Sequence, residues 1–421
     1  MRLATASSLT VLAFMLTSAP ALAQVDTRGI SVADRARPDY DALGQRIGAF
    51  TLYPSVTVAV SATDNYLARN TDKQGDVYAT ISPEYTIRSN WARHRVEGRA
   101  WASQSVHAEL TGDNETEFGL SANGFYDASR LAQISGGVAA EQYSENRSAL
   151  GSFRETREPV RYRVGRFNLG VAQSFNRLTL NWTGSASYVN YDDVTSESGV
   201  EFDQDFRDVR QLNGGLTARY ELRSGIGLIA TGEVTDSRYD VRPGQPGFDP
   251  VTDIDRKSSG YTLLGGVTFE LSSLVFGSLQ VGLLERKYRD PRLRDFSGLS
   301  YNGDILWNVT PLTSVRFNAS RFVEDTSSQF VAGNTRSRFR VTVDHELYRY
   351  IILSGDASYG SFRPNGPGVG GKEYGIGAGA RYLINRNWSV LGNVRYDKRS
   401  SDSDFLRYDA FSGGVSVRFA L

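Results

Sequence analysis

The chain offers few side chains able to do covalent chemistry. It has three histidines, His94, His107 and His345, and no cysteine. Without thiols, a cysteine nucleophile, a thiolate zinc site, an iron–sulfur cluster and structural disulfides are excluded. A hydrolase would need a Ser–His or Asp–His pair. His107 and His345 are the plausible bases, since His94 falls at a predicted turn, and no Gly-x-Ser-x-Gly element accompanies them. Asp249, Asp253 and Asp255 share one polar segment and could attract Ca²⁺, but they lack a full ligand spacing and read as a solvated acidic loop. Gly375, Gly377 and Gly379 alternate within one extended segment with no helix behind it, so they are not a nucleotide loop. The expectation is no enzyme, no cofactor and no bound metal.

What remains is charge and its placement. Lys plus Arg is 47 and Asp plus Glu is 47, so the basic excess of a nucleic-acid binder is missing. Many of these charges fall at every second residue. Arg95, Glu97 and Arg99 do so, as do Arg219 and Glu221, and Arg338, Arg340, Asp344 and Glu346. Arg161, Arg163, Arg166, Arg381 and Arg395 are read into the same set, with Arg316, Arg418, Glu84, Glu117, Glu141, Glu233, Glu270, Asp304, Asp356 and Asp397. They become a site only if an extended framework puts them on one face.

From Thr51 onward the framework is visible. Segments of about 10–15 residues alternate apolar with polar or small residues, between turn-rich pieces. In 178–188, Leu178, Leu180, Trp182, Ala186 and Tyr188 oppose Thr179, Asn181, Thr183, Ser185 and Ser187. In 374–384, Tyr374, Ile376, Ala378, Ala380, Tyr382 and Ile384 oppose three glycines and Arg381. Reading on gives about eighteen strands, from 50–64, 77–90 and 93–107 to 372–384, 388–399 and 406–421, joined by connections that alternate short and long. This predicts an all-β fold: a transmembrane antiparallel β-barrel with lipid-facing and lumen-facing residues alternating along every strand. No repeat of about 40–45 residues points to a propeller. Pro83 interrupts the pattern and predicts a bulge or a strand end, and the phase shift at Val164-Gly165 predicts a bulge.

On that framework the charges line the lumen. Either they pair across strands and fill the interior, or they form a ladder that selects solutes. Arg161, Arg163 and Arg166 with Arg338 and Arg340 are the candidate anion-attracting patch. Tyr78, Trp101 and Phe125 take the inward phase and could stack sugars or pack the lumen. Trp91, Trp182, Trp307, Trp388, Tyr288, Tyr348 and Tyr350 suit an interfacial aromatic belt.

Residues 1–23 combine a basic start at Arg2, a short apolar run over Leu9–Leu16 and the small-residue site Ala21-Leu22-Ala23. That is a cleavable signal peptide, too short to span a bilayer. Residues 24–49 are polar without alternation and read as a periplasmic lead-in or plug; 50–421 is the barrel. In the last strand Phe411, Val415, Val417, Phe419 and Leu421 share one face. They resemble the C-terminal signal read by the outer-membrane assembly machinery, although most such signals end in Phe or Trp.

Residues 37–66 read RPDYDALGQRIGAFTLYPSVTVAVSATDNY, and SPEYTIRSNWARHR follows at 82–95. The order Arg-Pro-x-Tyr-Asp-x-x-Gly, then Gly-x-Phe-x-x-Tyr-Pro-Ser, then Asp-Asn-Tyr resembles the proteobacterial outer-membrane barrels called putative beta-barrel porin 2. The resemblance implies an outer-membrane barrel of poorly defined substrate, in a family often associated with exopolysaccharide export. Three functions follow as expectations. One is a porin-like channel; a second is an export conduit working with a periplasmic polysaccharide-export protein; a third is a closed structural barrel. Both termini are expected in the periplasm, with outer-membrane lipid around the wall.

Overall fold

A computed structural model describes residues 29–150, 152, 156–245, 248–249, 253–324, 331 and 333–421. The leader expected over 1–23 lies outside the described residues. Eighteen long strands follow one another: β1 (Phe50–Thr63), β2 (Asp76–Ser89), β3 (Arg95–His107), β4 (Glu115–Asp127), β5 (Ala132–Ser144), β6 (Arg161–Phe175), β7 (Leu178–Tyr191), β8 (Val209–Arg223), β9 (Ile226–Tyr239), β10 (Ser258–Leu271), β11 (Val275–Tyr288), β12 (Phe296–Thr310), β13 (Thr313–Glu324), β14 (Asn334–Tyr348), β15 (Ile351–Pro364), β16 (Gly371–Leu383), β17 (Trp388–Ser401) and β18 (Tyr408–Ala420). Each pairs antiparallel with the next, and β18 returns to β1 from Ser55↔Ala420 to Thr63↔Ser412. The sheet is therefore a closed barrel, as the alternation predicted. Gln45–Ile47 covers the remaining edge of β1 at Phe50–Leu52.

Closure follows from the solvent. In hydrocarbon every backbone N–H and C=O needs a partner, and an open sheet edge would leave a row of them unpaired. Strands of 12 to 15 residues at about 3.3 Å each, tilted by about 40°, rise roughly 30–38 Å, enough to cross the ~30 Å apolar layer.

The side chains are distributed inside out relative to a water-soluble protein. Leu120, Ile376, Val234 and Leu283 are at least 60% exposed, whereas Ser237, Arg286, Ser314, Arg336 and Asp344 are buried. An apolar outer surface of this extent is stable only against lipid. Trp91, Trp182, Trp307, Trp388, Tyr348 and Tyr350 are exposed on it. Tyr288 departs from that group and takes the inward parity beside Arg286, whose guanidinium lies 5.9 Å from its ring.

The two bulges expected inside strands are not formed. Pro83 pairs with Val56 in an unbroken β1–β2 register. Against β3 the register holds from Ile81↔Gln104 to Glu84↔Trp101, with Ser82 and Pro83 simply unpaired. The missing N–H thus costs one rung and no register shift. The β5–β6 and β6–β7 registers run straight through Val164 and Gly165. Irregularities fall instead beside short turns, at Glu221/Arg223, Asn308/Thr310 and Glu346/Tyr348. Short turns occupy one rim, with Phe50 and Ala420; the longer loops occupy the other.

Candidate functional site in the barrel lumen

Because pairing is continuous, inward parity on one strand fixes it on all. Position 99 on β3 pairs with 86 and 121, both inward, while Leu120 beside them points out. By this rule Arg95, Glu97, Arg99, Arg166, Arg219, Glu221, Arg338, Arg340, Asp344, Glu346, Arg381 and Arg395 all sit on the inward face. Arg161 and Arg163 do not. They share the parity of Phe167 and Leu169, which are about half exposed on the outside. They pair at the long-loop rim with Glu158 at 2.6 Å and Asp192 at 3.2 Å. The reason is the straight register through Val164: without the expected bulge, 161 and 163 stay in phase with 167. Beyond the hydrocarbon layer an outward arginine is tolerated, so chemistry no longer reveals the face. The expected patch uniting Arg161 and Arg163 with Arg338 and Arg340 is not assembled.

Several inward charges are neutralised by neighbours. Arg88 pairs with Glu97 at 2.7 Å and Arg99 with Glu84 at 2.6 Å. Arg166 pairs with Glu141. Arg395 bridges Asp356 at 3.0 Å and Asp397 at 2.7 Å. Asp344 accepts a hydrogen bond from Ser354 Oγ at 2.6 Å, and Arg37 reaches Glu346 at 2.9 Å. A larger cluster, absent from the sequence reading, joins four strands near the long-loop rim. Arg336 lies between Glu324, at 2.7 Å, and Glu373; Arg338 also meets Glu324 at 3.3 Å and Arg399 meets Glu373 at 2.8 Å. Its only sequence signal was Arg336 preceding Arg338 at the same parity.

Six inward arginines make no ion pair among the described residues: Arg95 on β3, Arg219 on β8, Arg316 on β13, Arg340 on β14, Arg381 on β16 and Arg418 on β18. All but Arg340, at mid-strand, lie in the half of their strand nearer the short turns. Only Arg95 has a close aromatic neighbour, Phe125, with the guanidinium 4.3 Å from the ring. They are spread around the circumference rather than gathered on one wall.

Both mouths are occupied by chain. At the long-loop rim, Arg399 donates from Nη2 to the Ser148 carbonyl at 2.7 Å. Because Arg399 faces inward, the chain at Ser148 must enter the lumen to meet it. The loop that carries Ser148 is braced by Arg147, which bonds Asp113 at 2.7 Å and Thr156 Oγ1 at 2.7 Å, and by Arg207 on Glu145 at 2.6 Å. Asp208, beside this brace, accepts from the Tyr191 backbone N–H at 2.7 Å and from Asn190. Burial pushes its carboxyl up to about 6, against those hydrogen bonds. At the other rim, Val32 is fully buried and its N–H donates to Ser314 Oγ at 2.8 Å. Arg35 donates to the Pro311 carbonyl, and Gly29 packs against the inward ring of Phe276.

His107 and His345 are each held by local contacts on separate parts of the barrel. His107 Nδ1 meets Asp76 Oδ2 at 2.7 Å, and Asp76 also accepts the N–H groups of Val77, Glu109 and Leu110. The imidazole is enclosed by Tyr66 and Tyr78 at 4.5 and 4.8 Å. His345 bonds Thr313 at 2.9 Å on the outward parity, half a barrel away from His107. The Asp249 N–H donates to Asp253 Oδ2 at 2.8 Å while Asp255 pairs with Arg289 at 3.6 Å, so the three carboxylates do not gather into one cluster. The acidic trio with oxygens within 4.8 Å of one another is Asp193, Asp203 and Asp205, all exposed.

A closed eighteen-strand barrel with an apolar exterior and a charged lumen defines an outer-membrane channel of porin type. Residues 37–421 match the family described as Putative beta-barrel porin 2, and the chain belongs to that family. None of the curated proteins matches it. Among solved structures it is similar to the siderophore receptor PirA from Acinetobacter baumannii, with TM-score 0.50 and 7% identity over 90% of this chain and 81% of that one. It is also similar to the outer membrane protein OpdK from Pseudomonas aeruginosa, with TM-score 0.43 and 11% identity over 88% and 99%. A bacterial polysaccharide outer membrane secretin gives TM-score 0.38 and 12% identity over 87% and 98%. The likeness to the receptor establishes a shared barrel architecture and nothing about cargo.

Proposed function

We propose that this porin-like barrel is a passive channel that favours anions, with its selective element at the short-turn mouth. The observation that carries this is the set of inward arginines at the short-turn end that make no ion pair among the described residues: Arg95, Arg219, Arg316, Arg381 and Arg418. A ring of fixed positive charge in a confined polar pore raises the local concentration of anions and repels cations. Arg93, Arg130, Arg177, Arg349 and Arg386 add charge on the turns of the same rim. The test is the reversal potential of the refolded barrel in a planar bilayer under a KCl gradient. Chloride preference is expected, and it should move toward potassium in an R219E/R381E/R418E triple variant. A folded barrel that conducts with no ion preference, or whose preference ignores these changes, would overturn the reading.

On this reading the short-turn rim faces the periplasm, with both chain ends, and the loops face outward. The chain around Ser148 narrows the outer mouth, residues 29–37 plug the inner one, and the lumen transports rather than catalyses. The outward face of Phe411, Val415, Val417 and Phe419 is offered to the assembly machinery during insertion, with Leu421 closing on the Pro54 carbonyl at 3.1 Å. A second reading, export of a polysaccharide with a periplasmic partner, is favoured by one feature. The segment in the inner mouth is held by few polar contacts, of which Arg37–Glu346 is the buried ion pair, so a partner binding that segment could withdraw it.

A further inference from the structure

Four aromatic side chains form a continuous row on the inner wall, toward the long-loop rim. Trp101 on β3 lies 5.6 Å from Tyr143 on β5, Tyr143 lies 5.7 Å from Tyr162 on β6, and Tyr162 lies 5.3 Å from Tyr191 on β7. Successive planes are tilted by 31–36°. All four take the inward parity and are half-buried. The row crosses β4 only because residue 119 is glycine. A Cβ there would lie 2.6 Å from Trp101 Nε1 and 2.9 Å from Cε2, so the indole rests on bare backbone. The three ring-to-ring distances make the row at most about 17 Å long from Trp101 to Tyr191. It runs across tilted strands, so it climbs the wall instead of circling at one height.

Three of the four rings are accompanied by an ion pair. Arg99, paired with Glu84, lies 5.5 Å from the Trp101 ring. Arg166 and Glu141 adjoin Tyr143. Arg207, paired with Glu145, lies 3.9 Å from the Tyr191 ring. A paired Arg and carboxylate present hydrogen-bond donors and acceptors side by side with little net field. That combination suits hydroxyl groups, which donate and accept at once, better than it suits ions.

We infer that this row is a carbohydrate track: the apolar faces of successive pyranose rings of a neutral oligosaccharide lie on Trp101, Tyr143, Tyr162 and Tyr191, while the flanking ion pairs bind its hydroxyls. Pyranose faces carry C–H groups that pack on aromatic rings, and a row of similar platforms lets a chain advance by small steps. Sugar binding on this row rests neither on the channel reading nor on its ion preference; only movement along the row requires the lumen to be a passage.

The test is calorimetric titration of the refolded barrel with maltohexaose and with cellohexaose, in a detergent without a sugar headgroup. Current block by the same sugars in a bilayer is measured alongside. Binding of at least one sugar is expected. Y143L and Y162L should each weaken it about five- to tenfold, and G119A, which displaces the indole, should act in the same direction. Y350L, on a short turn at the opposite rim, should leave it unchanged. Heat-modifiable mobility on gels checks that each variant is folded. A folded barrel that binds neither sugar, or variants that bind as the parent does, would overturn the track. A barrel that binds sugar but passes no current would instead overturn the channel reading and leave the track standing.

Discussion

Arg395 on β17 and Asp356 on β15 are ion-paired at 3.0 Å although a whole strand separates them. The residue between them in the cross-strand row is Gly377, and a Cβ there would lie 2.8 Å from Asp356 Oδ1. The alternating glycines of β16 are thus a floor over which an arginine crosses, as Gly119 is a floor for Trp101. A G377V variant should destabilise the barrel by about 1–3 kcal/mol, the usual penalty of overpacking. G265A, where a Cβ meets nothing within 4 Å, should be nearly neutral. Urea unfolding midpoints in lipid vesicles compare the two.

Removing the arginine itself should cost more than removing a surface charge. Arg395 is largely buried between two carboxylates, and R395A leaves Asp356 and Asp397 without their shared counter-ion. A loss of about 2–4 kcal/mol is expected from breaking a buried pair on one side. R395A combined with D356N should recover part of it, read from the same unfolding midpoints.

The contact of Arg399 with the Ser148 carbonyl holds the loop at Ser148 in the lumen. R399A should release the loop and raise single-channel conductance, with noisier open states. The parent barrel should keep a lower and steadier conductance. Equal traces for both would mean that the loop does not limit flow.

Acidity should tighten the outer loops through Asp208. Its folded carboxyl, at about 6, holds a proton at a pH where an unfolded aspartate, near 3.9, has lost it. The folded form then binds more protons, so loop stability is greatest below about pH 4 and falls as pH rises to about 6. Hydrogen exchange of the 192–208 backbone should slow on acidification through this window, and D208N should flatten the dependence.

If the arginine ring sets selectivity, salt must weaken it. The screening length falls from about 10 Å at 0.1 M to about 3 Å at 1 M, less than the radius of such a lumen. Chloride preference should therefore be clear in dilute KCl and nearly vanish in molar KCl, measured as reversal potentials at a constant concentration ratio.

The barrel was legible in the sequence because lipid and water impose opposite chemistry on alternate residues. A one-residue slip would move Leu120 or Ile376 to the lumen and Arg99 or Arg381 to the lipid, so mid-strand composition alone decides the face. The same reading failed at Arg161 and Arg163, beyond the lipid, where either face is tolerated and only the straight register through Val164 settles the matter. Nor could alternation say what meets what. That Glu324, Arg336, Glu373 and Arg399 share one cluster, that Ser148 enters the mouth, and that Gly119 lets Trp101 reach Tyr143 depend on register and loop packing between distant positions. Sequence determined which side of the wall most residues occupy; the tertiary structure alone decided their neighbours, because closure and register are properties of strand pairs and not of any single strand.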